Sequence, residues 1–373
     1  MLSFSLFAYP NFIGMGYQSC LTCHYNPHGN GPLNDYGRAL SASTISGRAF
    51  ADSKITDEEL AQKSGFMWQK PMADRIRPAI NYRGLYLKRN FSGKNEETEW
   101  INMAAKANVV VRLGPEENKD KLIASATFGY APTPRATPNS TEPNYRTREH
   151  YLGYRPTPNW GLYAGLMDKT FGLRVPDHIA FSRVSTGLTQ NDQSHGVILH
   201  FVQDKFEIAG NYFIGNLKNE DDVRQKGFAF TGEYGPKDWR IGPSILVSES
   251  QYLKNTNLAA HARLAFGKGN SMLIELGQVT RDIIPANRSI VSRYGFFQGH
   301  ILMKRGLYFL NTLEYFKGDT DKEDHVFRWG PGVQYFMMHG LELRTDIYNS
   351  RVFSSNAVSD DTWNLTAQIH LWL

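Results

Sequence analysis

From about residue 75 to its end, the chain alternates apolar and polar side chains with a period of two, in segments of about ten residues. In INMAAKANVVVRL the apolar set is Ile101, Met103, Ala105, Ala107, Val109, Val111 and Leu113, with Asn102, Lys106, Asn108 and Arg112 between them. In FEIAGNYFIG, Phe206, Ile208, Gly210, Tyr212 and Ile214 oppose Glu207 and Asn211. VFRWGPGVQY sets Phe327, Trp329, Val333 and Tyr335 against Arg328 and Gln334. The final segment sets Trp363, Leu365, Ala367, Ile369, Leu371 and Leu373 against Asn364, Thr366, Gln368 and His370. Such strands have one face for water and one that water does not suit. LYFLNTLEYF is apolar on both faces, as expected where a packed interior contact meets the wall.

About sixteen segments of this kind follow one another, and the links between them alternate in length. Short links (RPTPN, QDK, GPKD, GKGN, KRG) take turns with longer polar ones (SGKNEETE, APTPRATPNSTEPNYR, NLKNEDDVRQ, SESQYLKNTN, KGDTDKED, SSNAVSDD). An even strand number, with short turns at one end and long loops at the other, is the pattern of an outer-membrane antiparallel β-barrel. Closure removes the strand edges that lipid cannot satisfy. About sixteen strands enclose a lumen wide enough to hold something. A soluble sandwich also alternates, but seldom over ten residues with a polar inner set on nearly every strand, and no blade-like repeat is found. The composition agrees: mean hydropathy is −0.44, yet there are 22 Phe, 19 Tyr and 33 Gly. With short turns in the periplasm, both chain ends lie there, and the expected location is a bacterial outer membrane with lipid around the wall. The net charge of +5 is spread along the chain without a dense basic tract, so no nucleic-acid partner is expected.

The inner set predicts charges in the lumen: Arg83, Arg112, Arg240, Arg263, Arg328 and Arg344, with Glu207, Glu275, Glu342 and Asp346, and the imidazoles of His200, His261 and His370. The stretch TFGLRVPDHIAFSR, residues 170–183, is long and partly apolar. It reads either as an inward constriction or as an external loop.

Ahead of the barrel, residues 9–72 form a different, loop-rich segment, and the barrel spans 75–373. Residues 1–8, apolar and ending at Ala8, read as the remnant of a secretory signal. Thr56 and Glu59 have capping-box spacing for a short helix, with Gly65 as its stop. The two cysteines of the chain, Cys20 and Cys23, stand two residues apart, and His24 follows at once. C-x-x-C-H is the attachment signature of a c-type haem. Each thiol can form a thioether to one edge of the porphyrin, which brings His24 beneath the iron as proximal ligand. A disulfide and a zinc site through Cys20, Cys23, His24 and His28 are the other uses. The latter lacks the long spacer between ligand pairs. The prediction is one covalent haem c, with Met67, Met72 and Met15 as sixth-ligand candidates and Arg38 as a contact to a propionate or to a lumen carboxylate.

A CxxCH segment followed by a single-chain porin-like barrel resembles the fused outer-membrane cytochrome–porins, whose known type oxidises iron. Cys20, Cys23 and His24 match residue by residue; the barrel matches in pattern, and the surroundings YNPHGNGPLNDYGRAL depart from the iron oxidases. The resemblance implies electron transfer between an extracellular donor or acceptor, ferrous iron being one, and a periplasmic carrier such as a soluble cytochrome. Because the apolar band of such a barrel is about 25 Å tall, the cytochrome c-like segment, residues 9–72, is expected to enter the lumen as a plug for electrons to cross. An electron carrier is expected rather than a catalyst, and no catalytic residue is singled out. A passive porin or transporter with a structural or sensing haem segment is the alternative.

Overall fold

A computed structural model describes residues 10–373, apart from 30, 53, 70–74, 91–95, 131–144, 176, 178, 190, 356 and 360. The alternation does become a wall. The strands are β1 (Ile76–Arg89), β2 (Glu97–Arg112), β3 (Leu122–Tyr130), β4 (Tyr145–Tyr154), β5 (Trp160–Met167), β6 (Ser194–Val202), β7 (Phe206–Phe213) and β8 (Lys226–Tyr234). They continue as β9 (Trp239–Glu249), β10 (Leu253–Phe266), β11 (Asn270–Ile283), β12 (Arg288–Lys304), β13 (Leu307–Lys317), β14 (His325–Met338), β15 (Leu341–Ser354), β16 (Ala357–Val358) and β17 (Thr362–Trp372). Neighbours in sequence pair antiparallel, and β1 pairs with β17, so the sheet closes. The two-residue β16 merely extends β15, which leaves a closed barrel of sixteen strands.

The side chains sort as their period requires. On β9, Trp239, Ile241 and Pro243 are exposed outward, while Arg240, Ser244 and Ser248 are buried inward. Aromatic side chains cluster near the short-turn end: Trp160 on Phe201, Phe206 on Tyr234, and Tyr234 on Trp239, with ring centroids 4.7, 5.0 and 6.2 Å apart. An apolar outer band with an aromatic girdle is what a lipid-facing wall needs. Among the described residues no helix is long and apolar enough to cross a membrane.

Three expectations are corrected. In β2 the pairing slips at the Arg83/Gly84 step, so Met103 is an extra residue. This bulge reverses the phase: Met103 turns inward and is buried, and Asn102 is exposed on the outside, where it accepts from Tyr82 and Trp100. In SESQYLKNTN only residues 250–252 form a turn, because Lys254 to Asn257 remain in the ladder with β9. The capping box forms as read, with Thr56 as N-cap and Glu59 bonding back, but the helix stops at Gln62 and Gly65 opens the next turn.

Candidate functional site

The N-terminal segment packs inside the barrel at the short-turn end through its described residues between 10 and 46, while those between 48 and 69, mostly half-buried or exposed, lie at the mouth. It begins with the helix α1 (Pro10–Gly14), all five residues of which are buried. The CxxCH motif makes one tight helical turn: the N–H groups of Cys23 and His24 both bond to the Cys20 carbonyl, at 3.2 and 3.0 Å. Asn34 clamps this turn. Its N–H bonds to the Cys23 carbonyl at 2.8 Å, and its Nδ2 donates to the Thr22 carbonyl at 2.7 Å. Its Oδ1 caps the helix α2 (Asp35–Leu40) by accepting from the Gly37 N–H at 2.8 Å. The helix lies directly on the motif, since a Cβ on Gly37 would sit 2.7 Å from Cys23 Cα and 2.8 Å from its Cβ.

This segment touches the wall around its circumference. Arg38 donates to the Pro78 carbonyl on β1 at 3.1 Å, Asn26 to Glu149 on β4 at 3.0 Å, and Ser19 to Glu207 on β7 at 3.0 Å. Gln18 bonds to the Lys237 carbonyl at 2.9 Å, and the Gly269 N–H to the Gly14 carbonyl at 2.8 Å. Arg305 grips the Ser46 and Ala42 carbonyls and Asp57, and Trp68 donates to the His339 carbonyl at 2.8 Å. The two-sided apolar β13 is explained here: Tyr308 and Leu310, both 0% exposed, pack with Phe296 and Phe336 against Phe12, Ile13 and Ile45 of the plug.

From the opposite end, residues 168–193 fold inward, the first of the two readings of that stretch. Asp177 accepts from both Nη atoms of Arg344 at 2.9 Å, and the Phe181 N–H bonds to Glu314 at 2.7 Å. The short helix α3 (Phe181–Thr186) ends at Gly187 in the left-handed conformation. Leu173 N–H reaches Glu275, and Val175 and Leu173 join the apolar cluster of the plug.

Between plug, loop and wall lies a cavity of about 230 Å³. His24 and His28 border it from the plug, Arg174 and Arg183 from the loop, and Lys106 and Arg148 from the wall. Cys20 borders a smaller space of about 90 Å³ that shares His28 and Arg174 with the first. Both thiols are free of a disulfide. Burial pushes the Cys20 thiol up to about 12, helped by the charge of Glu207, and burial does the same for Cys23, helped by Cys20. Burial, together with Arg174 and His200, lowers His28 to about 3. Its Nε2 lies 2.9 Å from Thr170 Oγ1.

No protein-family model and none of the curated proteins matches the chain. Solved structures do. OmpT, an outer membrane protein of Vibrio cholerae, is 11% identical with a TM-score of 0.62, over 80% of this chain and 97% of that one. The outer membrane channel DcaP of Acinetobacter baumannii gives 11% and 0.59 over 80% and 97%. An anion-selective porin from Comamonas acidovorans gives 6% and 0.60 over 80% and 99%. The barrel is porin-like. At these identities the likeness is one of fold.

Within this porin-like barrel, His24 and Arg38 border the same cavity, with Cys20 and Cys23 on the turn beside it. Met15 instead packs toward Gly269 at a short turn, and Met67 is exposed near the same mouth; neither lines the cavity. Met72 lies outside the described residues, as do residues 1–8. The three histidines expected in the lumen are each tied to a carboxylate: His200 to Glu207, His261 to Glu233 and His370 to Glu342, all at 3.0 Å. Accordingly no three metal-binding side chains converge among the described residues. Arg148 was not anticipated. It sits at a second bulge, where Arg148 and Glu149 together oppose Thr127 and both turn inward. Consecutive residues on one face break the period of two, so periodicity hides them.

Proposed function

We propose that the chain is an outer-membrane electron-transfer protein, a porin-like barrel with one covalent c-type haem inside its lumen. The observation that carries this reading is the placement of CxxCH: a helical turn within the barrel, with its histidine on a cationic cavity. The residues suit the group. Two free thiols stand on the turn, His24 faces open space, and Arg38 offers its guanidinium to a propionate. Phe12, Ile45, Val175 and Phe336 give the cavity an apolar side that a porphyrin face requires. Cys20 and Cys23 would hold the ring and His24 would be its proximal ligand; no methionine is assigned to the sixth position. Bound there, the haem supplies one-electron chemistry. The chain's own part is to exclude water with the apolar cluster and to keep His24 oriented through the Asn34 clamp. Electrons would pass between an extracellular donor or acceptor, ferrous iron among them, and a periplasmic carrier that meets the short-turn mouth. Both chain ends would then be periplasmic.

A pyridine-haemochrome spectrum of membrane-extracted protein tests the cofactor, with Cys20→Ala/Cys23→Ala as control. A wild-type spectrum without c-type haem would sink the reading. Reduction of the haem in intact cells by an extracellular donor tests the direction of use.

The porin-like fold itself favours a second reading, a passive pore with a structural or sensing haem segment. Contacts of the plug with β1, β4, β7 and the short turns oppose it, because they occupy the perimeter that an open pore leaves to water. Planar-bilayer conductance with no reducible haem would support this second reading instead.

A further inference from the structure

The cavity beside His24 is unbalanced in charge. Arg38, Arg83, Lys106, Arg148, Arg174 and Arg183 line it, and Asp168 is its one lining carboxylate. Asp168 is already engaged, by Arg174 and by Gln193. Arg183 is spent on the Leu188 and Val175 carbonyls. The wall side is different. Arg148 is only 5% exposed, and its Nε and Nη2 have no hydrogen-bond partner. Arg83 has one long contact, 3.4 Å to His370, and its Nε has none. Lys106, on β2 between them, lies in the field of both.

Burying a guanidinium whose Nε and Nη2 find no hydrogen-bond partner is costly in a low-dielectric interior. Three like charges gathered in one wall add their mutual repulsion, which the neighbouring Glu149, bonded to Asn26 and a single carboxylate against three cations, offsets only in part. Folding tolerates this where a ligand supplies the missing charge. The backbone is shaped for the same end. The bulges at Met103 and at Arg148–Glu149 are both at this wall, and the second aims Arg148 into the cavity.

We propose that Arg83, Lys106 and Arg148 form a carboxylate seat, which receives the anionic edge of whatever fills this cavity. The forked guanidinium of Arg148 takes a carboxylate in the two-point manner, and Lys106 adds a point charge. The proposal deepens the haem reading and rests on it only for the source of the carboxylate. A haem tethered at Cys20 and Cys23 brings two propionates; a free small dicarboxylate is the other source.

The test uses full-length protein and succinate as probe, followed by calorimetry. Where the seat holds propionates, the haem-loaded protein does not bind succinate. The haem-free Cys20→Ala/Cys23→Ala protein then binds it, and Lys106→Gln/Arg148→Gln weakens that binding by about tenfold or more. In the loaded protein the same pair of substitutions lowers the haem midpoint potential, since nearby cations favour the reduced state. Where the seat serves a free anion, loaded and haem-free proteins bind succinate alike, and Lys106→Gln/Arg148→Gln still weakens it. Wild-type protein refolded without haem replaces the cysteine variant should that variant fail to fold. A wild type without any haem that still binds succinate through Lys106 and Arg148 removes the haem reading and leaves the seat standing. Equal succinate binding with and without Lys106→Gln/Arg148→Gln, and an unchanged potential, overturns the seat.

Discussion

At the scale of residues, the CxxCH turn depends on neighbours that carry no chemistry of their own. Gly37 lets α2 lie against Cys23, so Gly37→Ala forces the helix off the turn. The expected cost is about 1–3 kcal/mol, with fewer haems per chain in a haemochrome assay. Asn34→Ala removes both the helix cap and the bond to Thr22, a loss of about 1 kcal/mol readable in thermal unfolding. His28 gives the plug a pH limit. Burial holds it neutral when seated, lowering it from 6.5 to about 3, so only the released form takes a proton between those values. Its stabilising contribution is therefore complete above about pH 6.5 and declines on acidification toward pH 3. Limited proteolysis at falling pH should cut the plug progressively sooner, and His28→Gln should flatten that profile. The two thiols and the imidazole were legible because their spacing is their signal. Arg148 and Asn102 were not, since a bulge shifts the phase that betrays which way a side chain points.

Among the elements, the inward loop at residues 168–193 was legible as long and partly apolar, which left its direction open. Its direction is decided by partners far away in sequence: Glu275, Glu314 and Arg344 on three different strands. No local pattern contains them. Arg344 also pairs with Asp346 on its own strand, so the wall keeps that guanidinium satisfied without the loop. Asp177→Ala should consequently release the loop while leaving the barrel folded. Heat-modifiable electrophoretic mobility should be unchanged, and proteolysis within the loop should speed up. A loop as resistant as in the wild type would mean that its other bonds to the wall, those of Gly172, Leu173, Ile179, Phe181, Ser185 and Thr186, suffice to hold it.

For the whole molecule, the barrel was written in the alternation, because each strand meets lipid on one side and the lumen on the other. The plug was not. Its apolar residues are scattered among glycines and prolines, and its seat shows only as the two-sided apolar β13. Chains lacking residues 10–69 should still close the barrel and should conduct in planar bilayers, while the intact chain conducts little. That shortened barrel exposes Phe296, Tyr308, Leu310 and Phe336 to lumen water, so it should unfold at a lower temperature. Protease added to the folded intact protein should spare the enclosed stretch from residue 10 to 46; its rapid removal would mean a hanging segment.

The closure of β1 against β17 has a consequence for timing. The wall around the plug does not exist until Leu373 reaches Ile80, where N–H and carbonyl groups exchange bonds at 2.9 Å across the greatest sequence separation in the barrel. A thiol needs its thiolate to react, and Cys20 and Cys23, held near 12 once enclosed, have almost none at neutral pH. A thioether at either cysteine would therefore have to form on the unenclosed chain, so the last strand to arrive would seal any cargo loaded before it.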